Sequence, residues 1–196
     1  MIKNNLMLGI LLFSVVWASC KKESSDDTST DSSAPNILLI IADDLGKDDI
    51  KGYSEGSIKP NTPNIDALRT KGLTFNNFWS NPVCSPTRAS LLTGKYGYRT
   101  NVKGASDILS PSETSLQKYI NDNSSNKYAT AIVGKWHLAG TNNTFNPETM
   151  GIDYYSGLIR GAVTDYYNWQ LTEDGSTKTQ NSYITEALTT SSINWI

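Results

Sequence analysis

Three stretches of this chain set reactive side chains beside groups that attract an anion or a cation. Cys84-Ser85-Pro86-Thr87-Arg88 places a thiol four positions before a guanidinium. Arg88-Ala-Ser-Leu-Leu-Thr-Gly94 reads as a short helix, with Pro86 near its start, where a missing N–H costs nothing. Cys84 is then expected just outside a helix N-terminus. Free backbone N–H groups and the helix dipole favour an anion there, and Arg88 follows one turn along. A reactive group held beside an anion site is what anionic-ester chemistry requires. Asp43 and Asp44 are adjacent carboxylates, which repel each other unless a cation holds them, and hard oxygen ligands suit Ca²⁺ or Mg²⁺. An isolated Asp-Asp pair serves equally well as a turn or a helix cap. Gly134-Lys135-Trp136-His137-Leu138 carries an ammonium and the one histidine of the chain. Alternation would put Lys135 and His137 on one face and Trp136 on the other. A cation and a titratable imidazole so placed suit anion binding and proton transfer, although a lone histidine is commonly structural.

These residues need rigid elements to hold them. Ile37-Leu-Leu-Ile-Ile-Ala42 is a continuous apolar run, the pattern of a strand buried on both faces of a parallel sheet. It would deliver Asp43 and Asp44 to a strand's carboxyl end, where open α/β sheets bind ligands. Thr62 to Gly72 reads as a helix, with Pro63 near its start and Gly72 at its end. Leu73 to Phe78 looks strand-like and leads through Asn81-Pro82 into the cysteine loop. Glu113 to Ile120 reads as a helix capped by Ser110 or Ser112. Tyr128 to Val133 reads as a second buried strand, ending at Lys135 and His137. Leu171 to Lys178, with Asp174-Gly175 at its centre, has the signal of a hairpin. Residues 182–196 fit a helix with Ile184, Leu188 and Ile196 on one stripe.

The run from Pro63 to Gly94, with Cys-x-Pro-Thr-Arg at its end, resembles the N-terminal signature of the type I sulfatases. Gly-Lys-Trp-His-Leu resembles the second signature of that family, and Gly151-Ile-Asp-Tyr-Tyr-Ser-Gly157 a loop that follows it. The resemblance implies an α/β fold of alkaline-phosphatase type, a mostly parallel sheet flanked by helices. It implies that Cys84 is oxidised to formylglycine by a separate maturase, and that the hydrated aldehyde attacks a sulfate ester. In that scheme Asp43, Asp44 and the modified Cys84 hold a divalent metal, Ca²⁺ or Mg²⁺, which activates one hydroxyl. Arg88 and Lys135 neutralise the hydrate and the sulfate oxygens, and His137 orients or shuttles a proton. The substrate would be a sulfated small molecule or a sulfated glycan.

The 196 residues suffice for one folded domain, and a net charge of −2 with no basic stripe argues against a nucleic-acid partner. Residues 1–19 look like an export signal: Lys3, an apolar stretch from Leu6 to Trp17, then small residues. Ala18-Ser19 before Cys20 resembles a bacterial lipoprotein box, although Trp17 stands where an aliphatic residue is usual. Cys20 would then be lipidated, and membrane contact would come through that anchor alone. The product is expected in the bacterial cell envelope, as a periplasmic or outer-membrane lipoprotein. Residues 20–34 read as a polar, flexible tether, and 35–196 as the N-terminal portion of a sulfatase catalytic domain. The family's second acidic pair and its further histidine have no match here, and Asp165 and Asp174 sit in the wrong context. The fold is therefore expected to be incomplete at its C-terminus. Two alternatives stay open: an inactive, truncated surface lipoprotein derived from a sulfatase, or a phosphate or phosphonate ester hydrolase of the same superfamily. Ser or Thr would be usual at the nucleophile of the latter, so Cys84 favours sulfate. Tyr154, Tyr155, Tyr166, Tyr167 and Trp169 suit either sugar stacking or packing, and packing is favoured.

Overall fold

The computed structural model describes residues 34–141 and 146–196. The expected signal over 1–19, the lipidated Cys20 and all but the last residue of the tether lie outside the described residues. Residues 38–196 make one unit. Its four strands form an open sheet in sequence order: β1 (Ala131–Lys135), β2 (Tyr154–Leu158), β3 (Trp169–Glu173) and β4 (Ser176–Gln180). β1 and β2 run parallel, while β2–β3 and β3–β4 are antiparallel. The sheet is thus α/β in character, and among the described strands parallel pairing is confined to β1 and β2. Gly134 and Gly157 face each other across that pair. A Cβ on Gly157 would stand 1.8 Å from the Gly134 carbonyl oxygen, so this close approach of backbones requires glycine. The expected hairpin is present: Asp174 and Gly175 both have positive φ, 43° and 75°, as a tight two-residue turn needs.

Five α-helices are described: α1 (Pro63–Lys71), α2 (Cys84–Thr93), α3 (Gly97–Thr100), α4 (Leu116–Asn123) and α5 (Ile184–Trp195). α1 matches its proline and glycine signals. α4 begins at Leu116 rather than Glu113, because Ser115 is its cap, not Ser110 or Ser112. The fully buried Ser115 hydroxyl accepts from the Lys118 N–H at 3.0 Å and donates to the Met150 carbonyl at 2.8 Å. Ser115→Ala removes the cap and strands a buried carbonyl, so it should lower stability by about 1–2 kcal/mol in urea denaturation.

Two apolar clusters hold these elements. Ala89 and Leu92 of α2 pack against Val102, Leu109, Trp136, Leu138 and Tyr155, which ties the cysteine helix to the end of β1. Trp169 and Leu171 of β3 pack against Ile184, Ala187 and Leu188 of α5. Two expected strands do not form. Residues 37–42 carry no strand and stay exposed, with Leu38 at 75%, and residues 73–78 do likewise, with Phe75 at 71%. An apolar run becomes a strand only where a neighbour takes its N–H and C=O groups. None of the described strands pairs with either run, so hydrophobicity alone leaves them extended. No helix among the described residues is long and apolar enough to cross a membrane.

Candidate active site

α2 starts at Cys84 itself, not after it. Val83 is extended and gives no side-chain cap, so the first N–H groups of the helix lack intrahelical partners. Pro86 falls within that first turn and forfeits nothing. The approach is tied down by Asn81, whose N–H donates to Thr87 Oγ1 at 3.0 Å. At the other end Gly94 takes the left-handed conformation, φ 68°, and returns its N–H to the Ser90 carbonyl. Ala89, fully buried, presses the helix onto the core. Cys84 and Arg88 therefore share a rigid element, one turn apart.

The partner residues come from the end of β1. Lys135 is the last residue of the strand. The Trp136 N–H donates to the Leu158 carbonyl at 2.8 Å and the His137 N–H to the Ile159 carbonyl at 3.0 Å. The chain then departs from strand alternation, because His137 is left-handed with φ 55°. Trp136 and Leu138 on either side are buried to 2% and 1% exposure. Each contributes about 2–3 kcal/mol by burial, enough to hold an unfavourable backbone conformation between them. The outcome is that Cys84 Sγ and His137 Nδ1 stand 3.0 Å apart. Below them the fully buried Ser85 hydroxyl lies 2.8 Å from the His137 carbonyl and 2.9 Å from the Ala105 carbonyl, and shares its proton between them. Tyr155 in β2, also fully buried, donates its hydroxyl to the Gly134 carbonyl at 3.1 Å behind the site.

Arg88 reaches the same point. One terminal nitrogen donates to the Lys135 carbonyl, the other to Asp43 Oδ1 at 3.0 Å. Lys135 Nζ donates to Asp43 Oδ2 at 2.7 Å. The two cationic side chains are 12% and 14% exposed, and Asp43 is 38% exposed. Burial raises the Asp43 pKa, but the hydrogen bonds from Lys135 and Arg88 outweigh it and hold the carboxyl below its ordinary range. Arg88 Nε is buried with no hydrogen-bond partner. Two cations against one carboxylate, beside a helix N-terminus, make a site that favours an oxyanion.

Burial comes first, and the charges of Lys135 and Arg88 after it, in holding the His137 pKa below 6.5, with Asp43 opposing. The imidazole is then neutral at pH 7 and can accept a proton from a group at residue 84. Folding prefers the neutral form. The stability this confers is present above the unfolded value of 6.5 and declines as the pH falls below it. An NMR titration of the one histidine should give a midpoint below 6.5, and a midpoint at or above 6.5 would contradict this electrostatic account.

Asp43, Asp44 and the modified residue 84 are the groups expected to hold a divalent metal. Both Asp43 oxygens are engaged by cations. Asp44 is exposed and occupies a left-handed turn position, φ 56°. Among the described residues no group of three or more His, Cys, Asp or Glu could hold a metal. The structure therefore brings Cys84, Arg88, Lys135, His137 and Asp43 together, and Asp44 follows Asp43 as an exposed residue. Of the aromatic residues, Tyr155 and Trp169 are buried, and Trp169 donates its indole N–H to the Ser182 carbonyl at 2.9 Å. Tyr166 and Tyr167 remain exposed.

Comparison with known proteins places the family. The sulfatase family model matches residues 35–196. The chain is 35% identical over 162 residues to arylsulfatase G of Rattus norvegicus, covering 78% of this chain and 30% of that protein. It is 40% identical over 137 residues to N-acetylgalactosamine-6-sulfatase of Homo sapiens, covering 63% and 25%. Among solved structures it superposes on BT4656 in complex with its substrate D-glucosamine-2-N,6-O-disulfate with a TM-score of 0.69 at 28% identity, over 82% of this chain and 31% of that one. For Ps i-CgsB the TM-score is 0.68 at 30% identity, over 82% and 41%. The chain spans less than a third of the length of these two curated relatives. With a signature helix, a basic anion pocket and matches from residue 35 to residue 196, the chain belongs to the sulfatase family.

Proposed function

We propose that this chain supplies the nucleophile and the oxyanion pocket for hydrolysis of an organic sulfate ester, with a sulfated sugar as the substrate. The observation that carries the reading is the 3.0 Å approach of Cys84 Sγ to His137 Nδ1 at the N-terminus of α2, flanked by Arg88 and Lys135. Residue 84, once oxidised to formylglycine, supplies a hydrated aldehyde, and one hydroxyl attacks sulfur. The S–O ester bond breaks and the alcohol leaves with a proton. Loss of the proton from the second hydroxyl then expels sulfate and restores the aldehyde. Arg88 and Lys135 bind the sulfate oxygens, which compete with Asp43 for the same two cations. Neutral His137 takes up a proton at the residue 84 oxygen. The sugar assignment is supported by N-acetylgalactosamine-6-sulfatase among the relatives and by the disulfated glucosamine bound to BT4656.

The test begins with co-expression of the chain and a formylglycine-generating maturase, followed by mass spectrometry of the Cys84 peptide. The aldehyde is expected, and an unmodified thiol throughout counts against the nucleophile. Initial rates on matched aryl sulfate and aryl phosphate then separate the chemistries, and faster phosphate hydrolysis would favour the phosphoester alternative. Retained binding of a sulfated glycan with no turnover would favour a non-enzymatic lipoprotein.

A further inference from the structure

His137 needs more than its place in the chain to meet residue 84. Its backbone is left-handed, φ 55°, a conformation uncommon for residues other than glycine. Three contacts impose it. The His137 N–H is held by the Ile159 carbonyl at 3.0 Å, and the His137 carbonyl is held by the Ser85 hydroxyl at 2.8 Å. Ser85 is the neighbour of Cys84 on the same helical turn, so its hydrogen bond ties the backbone of one partner directly beside the other. The third contact is steric. The backbone at Gly161 lies against the imidazole, and a Cβ there would stand 2.4 Å from Cε1, 2.5 Å from Nε2 and 2.8 Å from Nδ1. Those are contacts that bonded neighbours alone tolerate, so any side chain at 161 must displace the ring. The ring is a side chain and can move, whereas the backbone of Gly161 is anchored to the end of β2 through residues 158 and 159.

We infer that Ser85 and Gly161 are positioning residues for His137: the serine fixes its carbonyl, and the glycine leaves the room that the imidazole fills as it faces residue 84. Neither supplies a group to the reaction. The importance of this geometry for turnover rests on residue 84 being the nucleophile, but the geometry itself can be read without any turnover.

The unconverted full chain, expressed without a maturase, carries one histidine, so its imidazole Hε1 proton gives a single NMR signal. Wild type should show a nuclear Overhauser contact from this proton to the Cys84 β-protons. Gly161→Ala should shift the signal and lose the contact while the circular dichroism spectrum stays native. Ser85→Ala should weaken the contact in the same direction. Gly72→Ala is the control: its Cβ would meet the Leu68 carbonyl at 3.2 Å, away from the site, and should leave the signal unmoved. An unchanged signal and contact in Gly161→Ala would overturn the inference, as would equal loss in the control. Failure of both the 161 and the 85 variants to fold would also overturn it, in favour of a purely structural role. An intact response in a chain that never hydrolyses sulfate would leave the positioning role standing and sink the proposed function alone.

Discussion

Replacing Cys84 with alanine is expected to abolish sulfate-ester turnover in maturase-treated protein, a loss on the order of 10⁶-fold if residue 84 is a covalent nucleophile. The reason lies in what its neighbours can do. Ser85 is fully buried, and its hydroxyl is shared between two carbonyls. The Thr87 hydroxyl is occupied by Asn81 and the Val83 carbonyl, at 3.0 and 3.1 Å. Neither can turn towards a sulfur atom held by Arg88 and Lys135. Residue 84 is the reactive side chain that sits at the helix N-terminus with an imidazole nitrogen 3.0 Å away. Sulfate affinity should change little in the same variant, because the cations that bind the oxygens are untouched. Initial rates and competitive inhibition by inorganic sulfate measure the two effects separately. Survival of more than a tenth of the wild-type rate would place the nucleophile elsewhere.

Gly157→Ala should be the most damaging single methyl in the sheet. The added carbon would meet the Gly134 oxygen at 1.8 Å, its carbonyl carbon at 2.6 Å and its nitrogen at 2.8 Å, all of them backbone atoms. A side chain could swing aside, but here two parallel strands must separate. A loss of about 3 kcal/mol is expected from overpacking of this kind, read as a fall in the urea midpoint. The damage would extend to the site, because the carbonyls of Leu158 and Ile159 hold the backbone of Trp136 and His137. A loss below about 1 kcal/mol, within the range of an ordinary surface change, would mean that β1 and β2 do not close as described.

Local signals were enough to find several elements. Pro63 and Gly72 bound α1, Asp174-Gly175 marks the hairpin turn, and the motif around Cys84 opens α2. In each case one or two residues with restricted or unusual backbone preferences act at short range. The same kind of reasoning failed for Ile37 to Ala42. An apolar run records a tendency to be covered, but a strand exists only through hydrogen bonds to another segment, and no described strand supplies them. It failed more narrowly at α4, where Ser110 or Ser112 is the expected cap and Ser115 is the actual one. Ser115 prevailed because it can also donate to Met150, 35 residues away.

The chemistry-bearing residues, Cys84, Arg88, Lys135 and His137, could be named from their types and spacing, since a reactive group and its charges are properties of side chains. Their mutual arrangement could not. Strand alternation would have carried His137 onward in line with Lys135, whereas long-range contacts from Ser85, Ile159 and Gly161 turn it left-handed to face the thiol. Asp43, read as half of a metal pair, is held by Arg88 and Lys135, residues 45 and 92 positions distant. Charges so far apart in the chain choose their partners by the fold that gathers them, and a linear order of residues carries no record of that choice.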